Sequence, residues 1–128
     1  MSIKKTITGL VLLMLLISGT ANANWGDVYY CQMTNFNRVS FEGVTSKKHK
    51  LEKFKFKLDQ TKNAMIFGNT GHFKNEVFNG VFKTPEVGLE AWYANDVDSA
   101  TQFYEGLFWY ASVGPSGVHI ISADCDKF

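Results

Sequence analysis

The chain has 128 residues, of which 45% are hydrophobic, 15% aromatic and 20% charged, with a formal net charge of +1. This length suits one domain rather than two, and many large apolar side chains with an ordinary charged fraction exclude a disordered chain. Thirteen basic residues against 12 acidic ones leave no global field that would attract nucleic acid or a membrane surface. The composition predicts a single folded domain with no nucleic-acid partner.

The first 23 residues have the pattern of a secretory signal peptide. Lys4 and Lys5 form a basic start, residues 10–17 are an apolar run, and small residues stand at Ala21 and Ala23. Eight apolar residues span only about 12 Å as a helix, against roughly 30 Å of hydrocarbon, so a membrane anchor is the weaker interpretation. We predict cleavage after Ala23, a single domain over residues 24–128 with no membrane span, and a periplasmic or secreted location.

The two cysteines, Cys31 and Cys125, stand near the two ends of the predicted mature domain. An even pair in an exported domain indicates a disulfide, and their long separation excludes a CxxC motif. Loop-closure entropy gives about 4.5 kcal/mol as an upper bound for such a bridge. The alternative is two free buried thiols. A bridge would bring the first and last strands together, as a closed or nearly closed antiparallel barrel requires.

Short runs of β-forming residues recur along the chain. Residues 28–33 read VYYCQM, and residues 53–58 alternate lysines with apolar side chains, the clearest period-two segment. Residues 64–67, 89–94, 103–113 and 118–125 are further strand candidates. Asn79-Gly80 lies between two apolar pairs and favours a hairpin turn in which Glu76 faces Lys83. A glycine within a continuous strand is the alternative, so the register at Asn79-Gly80 stays open.

Residues 84–94 and 99–111 also carry helix signals, because Pro85 fits a first helical turn and Ser99 begins a capping-box pattern. Gly88 and Gly106 inside the candidate helices, together with the aromatic density, favour strands instead. We therefore predict an all-β domain, a small antiparallel β-barrel or sandwich with a lipocalin-like layout and at most one short helix.

The last predicted hairpin has apolar residues on both faces. If residues 114–117 form the loop, Val113 faces Val118, and the face that carries Cys125 is the core face. The opposite face, where a half-buried hairpin usually has polar residues, carries the candidate binding residues Trp109, Val113, Val118 and Ile120.

Three interpretations of this second face remain open. It is covered by another layer or by the N-terminal segment with Trp25, or it binds a small ligand, or it binds a protein. A register slip of one residue would exchange the two faces.

Basic residues are concentrated between Arg38 and Lys62, while acidic residues dominate after residue 86. Lys53, Lys55 and Lys57 form a candidate anion-binding stripe, which residues 47–49 lead into. The alternative is a solvated outer face whose lysines discourage edge pairing.

The sequence contains no motif for catalysis, a metal or a cofactor. His49, His72 and His119 are scattered without paired spacing, so we predict no metal site. His119 would face Ser112 in the last hairpin, as a base beside a nucleophile, but the sequence places no third group next to them. We predict a non-catalytic protein that needs no cofactor.

The general layout resembles small periplasmic β-barrel proteins such as lipocalin-like binders and inhibitors of lysozyme. The resemblance rests on the signal sequence, the strand density, the terminal cysteine pair and the YYC of residues 29–31. It includes no family-specific motif and assigns no functional residue. We predict an exported, soluble binding protein that engages a small ligand or a protein through an aromatic β-surface. The alternatives are a self-associating envelope protein or a small hydrolase.

Overall fold

The structure, a computed structural model, describes residues 23–40, 46–86, 89–115 and 117–128. The predicted signal peptide lies outside this part of the chain, apart from Ala23. Every regular element in the described ranges is a β-strand, which confirms the predicted all-β class. No helix in these ranges is long and apolar enough to cross a membrane.

Ten strands form one antiparallel sheet that curls into a half-barrel. The strands are β1 (Val28–Ser40), β2 (Ser46–Lys48), β3 (Lys53–Asp59), β4 (Ala64–Phe67), β5 (Val77–Asn79), β6 (Phe82–Glu86), β7 (Leu89–Asn95), β8 (Ser99–Tyr104), β9 (Leu107–Gly114) and β10 (Gly117–Lys127). Their order in the sheet is β5-β4-β3-β1-β10-β9-β8-β7-β6, and β2 pairs with the end of β1. The first and last strands are therefore neighbours, as predicted, and they lie in the middle of the sheet.

A disulfide joins these two central strands. Cys31 and Cys125 are opposite each other in the β1·β10 ladder, with an S–S distance of 2.05 Å and a Cα–Cα distance of 4.0 Å. The Cys31 side chain is buried in the core. The predicted crosslink is thus confirmed, and it connects the two halves of the sheet at their junction.

The carboxylate of Asp27 ties the chain ends together beside this junction. It accepts a hydrogen bond from the Asn24 amide (2.8 Å) and pairs with Lys127 Nζ (3.2 Å). The Tyr29 hydroxyl also donates to Asp27, and burial together with this neighbouring carboxylate raises the pKa of Tyr29 to about 12. Residues before β1 are therefore held to the end of β10 by polar contacts as well as by the covalent bridge.

The last hairpin has the register that the sequence predicts. Val113 pairs with Val118, and the ladder continues to Leu107 and Asp124. Phe108 is fully buried on the predicted core face. Both segments with helix signals form strands, β6 with β7 and β8 with β9, because each pairs with its neighbour along an apolar inner face.

The prediction of a hairpin at Asn79-Gly80 is wrong. β5 pairs with β4, whereas β6 pairs with β7, so this segment connects the two opposite edges of the sheet. Gly80 does have the positive φ of a turn residue (70°), and it uses that conformation to pass between the edges. Consequently Lys83 pairs with Glu90 (3.2 Å) and not with Glu76.

Aromatic side chains fill the concave side of the sheet. On β3 the apolar residues of the alternating segment are buried and its lysines are exposed, as predicted. Phe54, for example, is 5.0 Å from the ring of Phe108 across the core. Trp92 is fully buried, and the ring of Trp25 packs edge-on against it at 4.9 Å. The N-terminal segment thus contributes to the inner core.

A β-bulge in β1 changes which residues of this strand face inward. The register with β10 shifts between Met33 and Asn35, so both Met33 and Phe36 are buried. An extra residue in one strand reverses the alternation beyond it. As a result Phe36 and Arg38, rather than the two asparagines beside them, lie on the inner face at one open end of the half-barrel.

We predict that replacing Cys31 and Cys125 together by alanine lowers the free energy of unfolding by about 3 to 4.5 kcal/mol, because the unfolded chain regains the entropy of a long loop. Urea denaturation followed by tryptophan fluorescence measures the change, and reduced wild-type protein is the matched control. Equal midpoints for oxidised and reduced wild type would contradict this role for the bridge.

Candidate functional site

The four candidate residues of the last hairpin lie together on the convex face of the sheet. Trp109 is 39% exposed, Val113 56% and Ile120 44%, while Val118 is half-buried between its neighbours. We call these four residues the outer patch. They occupy adjacent positions of the β9·β10 ladder, so they form one continuous surface rather than scattered apolar residues.

This apolar surface continues across the neighbouring strands. Val39 of β1, also exposed, lies opposite Val118. In the other direction a row runs from Trp109 to Gln102 and Tyr93, and ends at Phe82 on the edge strand β6. The Gln102 amide donates to the Tyr93 hydroxyl (3.0 Å), and Tyr93 stacks on Phe82 at 5.3 Å. The aromatic surface therefore extends from the centre of the sheet to its free edge.

The candidate lysine stripe lies on the outer face of the other half of the sheet. Lys53 and Lys55 are exposed and line one side of a shallow groove. Tyr30 of β1 also lines this groove, between the two lysines and β10. Asp124 and Asp126 line the opposite side of the same groove. Lys57, the third member, lies 3.9 Å from Asp59. The stripe is thus a surface of mixed charge, with carboxylates facing the lysines across β1.

The inner face at one open end contains a feature that sequence analysis missed, because all three histidines meet there. His49 and His72 pack on the ring of Phe36 at 4.6 and 4.8 Å, and His119 lies 6.2 Å from it. The ring of His119 is 6.3 Å from His49 and 6.2 Å from His72. We call His49, His72 and His119 the histidine cluster.

Three different segments bring the histidine cluster together. His119 belongs to β10. His49 follows β2, and the His49 amide donates to the Phe36 carbonyl (2.8 Å). His72 is in the segment between β4 and β5, where its amide donates to the carboxylate of Glu52 (2.7 Å). No sequence spacing signals this convergence, since it depends on the bulge and on the curl of the sheet.

The pKa values of His72 and His119 are lowered in the folded protein, which favours the neutral imidazole of both residues. Burial lowers the pKa of His119, and the charges of Arg38, His72 and His49 lower it further. Burial also lowers the pKa of His72, although the carboxylate of Glu52 acts in the opposite direction. In the described part of the chain no group of three or more His, Cys, Asp or Glu side chains is arranged to hold a metal ion.

The candidate base and nucleophile are adjacent in the ladder, since His119 pairs with Ser112. The hydroxyl of Ser112, however, hydrogen-bonds to the phenol oxygen of Tyr110, as does that of Ser99. The charged neighbours that act on His119 are all basic, so within the described residues no carboxylate orients this imidazole. The arrangement lacks the third group that activates a nucleophile.

A cavity of about 400 Å³ opens beside the histidine cluster, between the edge of β5 and the ends of β7 and β8. Phe73, Phe78 and Tyr110 form aromatic walls, and His72 is shared with the cluster. The rim is acidic. Its carboxylates are Glu76, Asp96 and Asp98. The cavity exists because β6 begins at Phe82 and leaves the end of β7 uncovered.

Comparison of the chain with protein-family models, with curated proteins and with solved structures finds no match.

We predict that the free energy of unfolding decreases as the pH is lowered from about 7 to about 5. His72 and His119 have folded pKa values below the ordinary 6.5, so the unfolded chain binds protons first. The contribution of these two histidines to the free energy of unfolding is complete at pH values above their unfolded pKa. It is lost as the pH falls through their folded pKa values. Urea denaturation across this range measures the dependence.

The matched control is the double variant His72→Gln with His119→Gln, which should show a shallower dependence on pH over the same range. Because the carboxylates titrate in both proteins, the difference between the two curves isolates the histidines. Parallel curves would show that these imidazoles have no depressed pKa in the folded protein.

Proposed function

We propose that the protein is a non-catalytic binding protein whose outer patch engages a protein partner. The observation that carries this proposal is the exposure of Trp109, Val113 and Ile120 on one continuous surface. Single exposed apolar residues are ordinary, whereas contiguous ones indicate an interaction site. Tryptophan and tyrosine are also the residues that supply most binding energy at protein interfaces.

The shape of this surface favours a protein over a small molecule. Small ligands bind in concave pockets that enclose most of their surface. The outer patch lies instead on the convex side of the sheet, and its aromatic row reaches the free edge at Phe82. A broad apolar centre with a polar margin is the usual anatomy of a protein–protein interface.

Charge at the margin of the patch indicates the chemistry of the partner. Asp124 pairs with Leu107 at one end of the hairpin, where Glu105 is also exposed. At the other end the Asp98 carbonyl accepts the Val113 amide, and its side chain is exposed. Acidic groups therefore border the two ends of the hairpin, whereas exposed Lys48 lies beyond Asn37 on the β1 side of Ile120, so the margin suits a partner whose apolar patch has a rim of mixed charge.

We predict that Trp109→Ser weakens binding of this partner by about 2 kcal/mol, roughly 30-fold, while the free protein loses less than about 1 kcal/mol of stability because the side chain faces outward. A photoreactive amino acid at position 109 captures the partner in extracts of the source cells. Calorimetry with the purified partner then compares wild type with the variant.

The matched control is Leu51, a similarly exposed apolar residue (47%) outside the patch. Position 51 should capture nothing, and Leu51→Ser should bind the partner like wild type. Equal capture at both positions, or equal affinity of both variants, would contradict the proposal. Capture of a second copy of the chain, with concentration-dependent sedimentation, would support the self-associating alternative instead.

We also propose that the mature protein is exported to an oxidising compartment. The Cys31–Cys125 disulfide supports this location, since such bonds persist where thiols are not kept reduced. The basic, apolar and small-residue pattern of residues 1–23 supports it independently.

N-terminal sequencing of the protein recovered from its native cells should begin at Asn24, with the disulfide intact. Ala21→Leu together with Ala23→Leu should block this processing, because the peptidase requires small side chains before the cut. An N-terminus at Met1 in the wild-type protein would contradict the export proposal and would leave the binding proposal untouched.

A further inference from the structure

We propose that the inner face around the histidine cluster is a binding site for a small oxyanion, a carboxylate or phosphate-type group held between Arg38, His49 and His119. The site is distinct from the outer patch, because it lies on the concave side of the sheet. It assigns a ligand class to residues that the proposed protein interaction does not use.

The strand ladders place a row of polar side chains at this end of the half-barrel. Lys47 lies opposite Arg38, which lies opposite His119, which lies opposite Ser112. Directly opposed residues share one face of a sheet, so two cations and an imidazole follow one another across three strands, and the Ser112 hydroxyl, which hydrogen-bonds to Tyr110, ends the row. Guanidinium and imidazole N–H groups are strong donors to carboxylate and phosphate oxygens.

Two nitrogen atoms of the proposed site lack a hydrogen-bond partner. Arg38 Nε and His49 Nε2 are buried, and neither makes a hydrogen bond within the described part of the chain. A buried polar group without a partner costs about 1–3 kcal/mol, and such groups in a native structure call for a physical explanation. An oxyanion between them would accept hydrogen bonds from both.

Basic groups surround His119 in this site and repel a proton on its imidazole. Arg38, His72 and His49 all disfavour protonation of His119, and Lys47 adds a further charge on the same face. A bound anion converts this repulsion into attraction and favours the charged imidazoles. Among the described residues, the carboxylates that act on the cluster are those of Glu52 and Glu76, and both act on His72, so the anion is expected on the side of Arg38 and His119.

The geometry favours an anion over a metal ion. The rings of His49 and His72 are 6.3 and 6.2 Å from the ring of His119. The positive charge of Arg38 also acts on His119. A cation would add to that charge. The outer lysine stripe is a weaker anion site, because Asp124 and Asp126 line the same groove as its lysines.

The test follows the imidazole nitrogen resonances of the full folded protein by NMR, with ¹⁵N-labelled histidine at constant ionic strength. Sulfate is the probe for tetrahedral phosphate-type groups, acetate is the probe for carboxylates, and chloride is the reference. We predict that at least one of the two probes saturably shifts His49 and His119. The probe that binds identifies the anion class, and no saturable shift with either probe overturns the proposal.

Arg38→Gln should reduce the affinity at least about tenfold, since it removes a charged donor. Lys55→Gln removes the same charge from the outer face and should leave the affinity unchanged. Equal losses in both variants would reduce the effect to general electrostatics and overturn the proposal.

A measurement on the wild type covers the case in which Arg38→Gln fails to fold. Sulfate and acetate keep their charge between about pH 8 and about pH 6, whereas imidazoles gain protons as the pH falls through this range. The affinity should therefore increase towards pH 6. An affinity that stays constant or decreases would contradict binding at the histidine cluster.

Discussion

The pairing of β1 with β10 is the constraint on which the rest of this structure depends. These are the longest strands (13 and 11 residues), and they lie between the two halves of the sheet. Their contact brings together residues as far apart in sequence as Cys31 and Cys125, which are separated by 94 positions, and such long-range pairing carries a large entropic cost of loop closure. The disulfide between Cys31 and Cys125 offsets this cost at the point where the two halves meet.

The curl of the sheet around that junction creates two surfaces of opposite character. Its concave side packs aromatic rings in the middle and places charged donors at one open end, where the bulge of β1 turns Phe36 and Arg38 inward. Its convex side exposes Trp109 and its neighbours. Both surfaces involve β1 and β10, since Val39 extends the outer patch and His119 belongs to the histidine cluster. A ligand inside and a partner outside would thus contact the same two strands.

The sequence predicted those parts of the fold that depend on local patterns. The alternation of β3, the register of the last hairpin and the disulfide follow from residue periodicity, a tight loop and an even cysteine pair. Asn79-Gly80 led to a wrong prediction, because Gly80 does adopt a turn conformation but this conformation does not determine which strands pair. β6 pairs with β7 through five residue pairs, and that longer contact outweighs a hairpin with the three-residue β5. The histidine cluster was not predictable, because a bulge has no sequence signature in β1.

Native-state hydrogen exchange tests the central claim most directly, because it reports the stability of each strand pair separately. If the β1·β10 junction organises the sheet, the backbone amides that bond across it should exchange only through global unfolding and should be among the most protected in the oxidised protein. Exchange of these amides through local opening, while the pairs β3·β4 and β8·β9 stayed protected, would contradict an organising role for the junction.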